Sequence, residues 1–286
     1  MSNKKIVNYT YVLISAFFVS YPPLISLISF GVDGIFKYFA SDTFYYIGIA
    51  NNSSWSPLFS FDGEYPTNGF HPLFQVYLKA IFNIFFENNI EKQIVFIYFN
   101  SIILLAASSI LISYSLIKLG YSKVLTVIAV VPGFFHIFFS DLSQQGNFWY
   151  FNNGMESSFS IFFFSIFFYL FLKKGFSKVN NKYVVDSTLI FLVTTLIIFS
   201  RLDDIFLYLV IVFYFLFEIK NTDKKKYLYF IISTPFLLVV LYCLINLSYA
   251  GSLLPSSGSS KFDISIYYNM MSFFNLIFPA GEIFSS

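Results

Sequence analysis

Residues 71–86 read "HPLFQVYLKAIFNIFF". The run suits an apolar helix but is short for a membrane crossing, which needs roughly 17–25 apolar residues. Read as a full span, it would put the loop "KLGYSK" at 118–123 outside; read as a helix lying in the outer leaflet, it leaves that loop in the cytoplasm. Charge favours the second reading. With the N-terminus inside, the cytoplasmic segments hold Lys4, Lys5, Lys118, Lys123, Lys173, Lys174, Lys178, Lys182, Lys220, Lys224, Lys225 and Lys226, which is 12 of the 17 basic residues. This is the positive-inside pattern. The outer side then has five basic residues, Lys37, Lys79, Lys92, Arg201 and Lys261, and 12 of the 15 acidic ones, all but Asp186, Glu218 and Asp223.

Composition agrees with an integral membrane protein. Hydrophobic residues make up 57% and charged residues 11% of the chain, with a mean hydropathy of +0.71; soluble domains have about 45–50% and about 25%. The expected fold is all-α, a polytopic helical bundle with about seven spans, near 9–30, 94–117, 124–140, 155–172, 187–200, 204–219 and 227–247. Amphipathic helices lie in the outer leaflet. The apolar run of the first span is long and lacks a small-residue cleavage site, so it reads as a retained helix, kinked at Pro22 and Pro23. Residues 1–286 form one transmembrane domain, and 31–93 form the first extracytoplasmic loop. A loop of roughly sixty residues far exceeds the usual connection length and points to function. With two histidines and one cysteine, Cys243, a zinc site of the usual ligands is nearly excluded.

The polar clusters fall on the outer side. "ASDTFYYIGIANN" at 40–52 carries Asp42 and Tyr45 on a short amphipathic helix, where Asp42 reads either as a cap or as an acid with chemistry to do. "SFDGEYPTNGFHP" at 60–72 supplies Asp62, Asn68 and His71 among turn formers. "NNGMESSF" puts Glu156 at the start of a span, and "SRLDD" puts Arg201 beside Asp203 and Asp204. "GSLLPSSGSSK" ends in Lys261, while His136 in "GFFHIFF" reads as a packing residue. Acids can take a hydroxyl proton, and cations can stabilise a leaving phosphate.

In this order the motifs resemble the multispanning glycosyltransferases of the GT-C superfamily, in particular bacterial terminal arabinofuranosyltransferase-like proteins. The resemblance runs from about Ser41 to Lys261 and is most specific in "TNGFHPL" and "NGME". It implies a polyprenyl-phosphate-linked sugar donor, a glycan, lipid or protein acceptor, membrane lipids as surroundings and no nucleic acid. It places the protein in the cytoplasmic membrane, N-terminus inside, with an extracytoplasmic site. It assigns Asp42 as general base and Glu156 as the second acid, both as metal ligands if a divalent ion (Mg or Mn) is used. His71, Arg201 and Lys261 become phosphate-binding candidates, with Asn68, Asp62 and Tyr45 shaping the pocket.

The chain departs from that pattern where Ser41 replaces the first acid of a pair, where Leu202 stands for a proline, and in "LPSSGSSK". It also ends at Ser286, where relatives continue. The alternatives are a truncated or inactive GT-C-like protein that binds lipid and, third, a transporter. A transporter would place ionisable residues at the bilayer midplane.

Overall fold

The computed structural model describes residues 3–36, 39–52, 59–87, 89–130, 152–174, 182–218, 225–253 and 255. His136 and Lys261 lie outside the described residues. The described helices are α1 (Asn3–Phe36), α2 (Ser41–Asn52), α3 (Pro72–Phe85), α4 (Ile90–Lys118), α5 (Lys123–Val130), α6 (Ser157–Lys174), α7 (Lys182–Ser200), α8 (Ile205–Glu218) and α9 (Lys225–Ala250). A 3-10 turn, Leu202–Asp204, joins α7 to α8. Among the described residues the only extended pairing is an isolated bridge between Ser60 and Pro66.

Among the described residues, three helices are long and apolar enough to cross a membrane, at Tyr9–Phe36, Ile90–Lys118 and Ile232–Ala250. Shorter apolar helices lie at Pro72–Phe85, Ser157–Leu172 and Thr188–Ser200. The expected span at 124–140 is described only to Val130. Three serines of α4 meet their hydrogen-bonding needs within the helix: the hydroxyls of Ser101, Ser108 and Ser115 donate to the carbonyls of Ile97, Leu104 and Leu111. An apolar helix carries such serines because each bonds one turn back.

The first helix corrects one expectation. α1 runs through Pro22 and Pro23, and its departure from helical backbone falls at Gly31, with φ 58° and ψ −143°. A positive φ is open to glycine without Cβ strain. The Pro pair instead marks a helix contact, where the buried Tyr98 hydroxyl of α4 donates to the Pro23 carbonyl at 2.8 Å.

Packing links α1 to α4, α4 to α6, α6 to α7 and α7 to α9, with α2 on α3. α2 and α3 are docked rather than loose. Tyr46, Ile49, Phe74, Leu78 and Phe82 share one apolar cluster with Ile94, Ile97 and Tyr98 of α4 and Phe159 of α6. A second cluster joins α6 to α9 through Phe167, Ile190, Phe191, Ile197, Tyr208 and Ile232. The segment between α2 and α3 is pinned to the end of α9. The Tyr249 hydroxyl accepts from the Phe59 amide at 2.8 Å and donates to its carbonyl at 2.6 Å, and the Asn68 amide donates to the Ser252 hydroxyl at 3.0 Å.

These contacts sort the molecule into two ends. At one, Lys118 lines a small cavity with Tyr169 and Leu172, and the Lys123 ammonium lies 5.9 Å from the Tyr11 ring centroid. At the other lie α2, α3, the start of α6 and the turn after α7.

Candidate functional site

The site grows from Asn153–Glu156, the stretch that leads into α6. Gly154 has φ +79°, and a Cβ there would stand 2.6 Å from Thr43 Cγ2 and 3.0 Å from Phe39 Cε1. Glycine is required on both counts. This close approach lets the Asn153 carbonyl accept from the Ala40 amide at 2.9 Å and from the Thr43 hydroxyl at 2.6 Å. The start of α2, with Asp42 in its first turn, is thereby clamped beside Glu156.

Glu156 is 3% exposed. A carboxylate so buried needs polar partners, and it has two. His71 Nε2 lies 3.4 Å from Oε1, and the Tyr46 hydroxyl donates to Oε2 at 3.2 Å. The same hydroxyl accepts from the His71 backbone amide at 3.2 Å. Burial first, and then the neighbouring Glu156 charge, push the Tyr46 phenol well above its ordinary value. The other ring nitrogen of His71, Nδ1, accepts from the Leu202 amide at 3.1 Å. His71 therefore joins α3, α6 and the 3-10 turn.

A cleft of about 610 Å³ opens beside Glu156. Its polar lining is Asn153, Glu156, Ser157, Ser160, Arg201 and Asp204; its apolar lining is Met155, Ile161, Phe164, Ile197 and Leu207. The acid pair after Arg201 divides. Asp203 faces solvent and forms a loose ion pair with Arg201 at 3.9 Å, whereas Asp204 turns to the cleft and accepts from Ser160 at 2.5 Å. Two carboxylates and a guanidinium thus meet in a pocket with one apolar wall.

Of the residues expected at the site, Glu156 and Arg201 line this cleft. His71 reaches it through Glu156, with both ring nitrogens engaged by the protein, so it is not a free phosphate ligand here. Asp42 is exposed and does not line the cleft; it stands next to Thr43, which bonds the cleft residue Asn153. Three others hold the first loop instead of shaping the cleft. Asp62 Oδ1 accepts from the amides of Tyr65 and Glu64 and from Ser60, which hold its carboxyl below the ordinary value. Tyr45 bonds Thr67 through its hydroxyl and stacks on Phe61 at 4.9 Å, and the buried Asn68 ties the loop to α9. Asp204 was not singled out from sequence, where "LDD" reads as one acidic cluster.

Both oxygens of Glu156 are engaged by His71 and Tyr46, and among the described residues no group of three His, Cys, Asp or Glu could hold a metal. Compared with protein-family models, curated proteins and solved structures, the chain matches none.

Proposed function

We propose that the chain is a membrane glycosyltransferase of the GT-C type, transferring a sugar from a polyprenyl-phosphate donor to a glycan, lipid or protein acceptor outside the cytoplasmic membrane. The observation that carries this reading is the cleft: Arg201, Glu156 and Asp204 share it with the apolar side chains of Ile161, Phe164 and Leu207. A phosphate suits a guanidinium, and a prenyl chain suits the apolar wall. The order of motifs from "SDTFYY" to "SRLDD" supports the same class.

In this reading about seven helices span the bilayer, with α2 and α3 in the outer leaflet. Arg201 holds the donor phosphate, and Lys261 is a second cation for it. The acceptor hydroxyl oxygen attacks the anomeric carbon of the sugar. The bond from that carbon to the phosphate oxygen breaks, and prenyl phosphate leaves with the electron pair. The hydroxyl proton passes to Asp42, in the first turn of α2. Glu156, beside His71 and hydrogen-bonded by Tyr46, keeps its charge fixed where positive charge develops on the sugar.

Glycan profiling of a strain lacking the gene tests the proposal in the cell. The expected result is loss of one envelope sugar decoration, restored by the wild-type gene and not by Asp42→Asn. An unchanged glycan profile counts against it, as does full restoration by Asp42→Asn.

A further inference from the structure

We infer that a second ligand site lies away from the cleft: a small cavity between the last turns of α4 and α6 takes the phosphate headgroup of an anionic phospholipid, whose acyl chains lie along α4. The cavity measures about 100 Å³ and is lined by Ser115, Lys118, Leu119, Tyr169 and Leu172. One water needs about 10–15 Å³, so a tetrahedral phosphate group fits. Along α6, about 24 Å of helix separates Glu156 at the cleft from Leu172 at this cavity. The two sites are distinct.

Charge selects an anion. Lys118 is exposed, and among the described residues no carboxylate lies within ion-pair distance of it. Lys123, at the start of α5, sits beside Tyr11 of α1, and Lys173 and Lys174 are the last two residues of α6. An ammonium that pairs with no acid of its own chain is a ready partner for phosphate, and basic pockets between membrane helices take lipid headgroups. A helix C-terminus ordinarily opposes an anion, because its last carbonyls point outward. α4 removes much of that opposition. The amides of Leu119, Gly120 and Tyr121 donate to the carbonyls of Ser115, Ile117 and Leu116 at 3.1, 3.1 and 3.2 Å, a closure that Gly120 permits with φ +94°.

The surface beside the cavity decides between a lipid and a free phosphate. Ile103, Ile110 and Tyr114 follow one face of α4 at helical spacing and are 63%, 37% and 37% exposed. The Tyr114 ring lies 6.0 Å from that of Tyr169 in the cavity wall, so stripe and cavity are continuous. α4 is also one of the helices long and apolar enough to cross a membrane. From Lys118 back to Ile103 it rises about 22 Å, more than the roughly 15 Å of one leaflet's hydrocarbon. A charged cavity that opens onto an apolar stripe matches an amphipathic anion, whereas a soluble phosphate would leave the stripe unused. This site stands whether or not the cleft transfers sugars.

The test is native mass spectrometry of the full chain, released from detergent with dioleoyl phosphatidylglycerol or dioleoyl phosphatidylcholine. The two lipids share their acyl chains and differ in headgroup charge. Wild type should keep one phosphatidylglycerol per chain under conditions that strip phosphatidylcholine. Lys118→Gln should weaken phosphatidylglycerol binding about tenfold, and Lys118→Arg should retain it. Lys92→Gln, which removes a lysine from the first turn of α4, should leave binding unchanged. Glycerol phosphate carries the phosphate without acyl chains, and at equal concentration it should not displace the lipid. Equal retention of the two lipids, undiminished binding in Lys118→Gln, an equal loss in Lys92→Gln, or displacement by glycerol phosphate overturns the inference.

Discussion

Gly154 shows how a single residue sets the site. Its backbone has φ +79°, and the space a Cβ would fill belongs to Thr43 and Phe39. Gly154→Ala should lower stability by about 2 kcal/mol or more, read from thermal unfolding in detergent. Tyr46 is the second such residue, because one hydroxyl serves both the His71 amide and Glu156. Tyr46→Phe leaves a buried carboxylate oxygen without its donor and should cost about 1–3 kcal/mol. The pH dependence has a definite sign. The folded phenol titrates above its ordinary value, so the unfolded chain loses this proton first. The contribution of Tyr46 is whole below about pH 10 and is lost as pH rises through the folded value. Alkaline unfolding of wild type should therefore fall more steeply than that of Tyr46→Phe, and parallel curves would contradict this. At this scale the sequence was partly readable. Glu156 and Arg201 stood out because each is a charge at the end of an apolar run. Asp204 did not, because a three-residue turn sends neighbouring acids to opposite sides, and adjacency in sequence carries no direction.

Among the elements, α3 carries the most information. Its inward residues include Gln75 and Lys79, both buried, while Ile84 and Phe85 are 69% and 66% exposed. The Lys79 ammonium lies 5.5 Å from the centre of the Phe59 ring. Polar side chains inside and large apolar ones outside suit a helix that faces lipid. Phe85→Trp should then fluoresce in vesicles and be quenched by brominated acyl chains. Quenching by aqueous iodide alone would place the helix in water. The helical character of 72–85 was legible, since an apolar run starting at His-Pro has a ready-made first turn. The break in α1 at Gly31 was not foreseen. Proline announces a kink by its chemistry, but α1 continues through Pro22 and Pro23 and breaks at Gly31, where only the dihedral angles reveal it.

Across the whole molecule, three of the described helices are long and apolar enough to cross a membrane. Hydropathy alone located the helices, because burying or lipid-facing apolar residues leaves a strong periodic record. The assembly of the cleft left no such record. It depends on bonds such as Thr43 to Asn153 and Leu202 to His71, which span more than a hundred positions. The central claim is that this cleft passes a sugar from a prenyl phosphate to an acceptor. The direct measurement is transfer of radiolabel by the purified chain in nanodiscs, supplied with membrane acceptors and a panel of radiolabelled prenyl-phosphate sugars. The account predicts transfer from at least one donor, abolished by Asp42→Asn and reduced about tenfold or more by Arg201→Ala, the loss of about 1.4 kcal/mol of transition-state stabilisation. No transfer from any donor, or undiminished transfer by both variants, would contradict it.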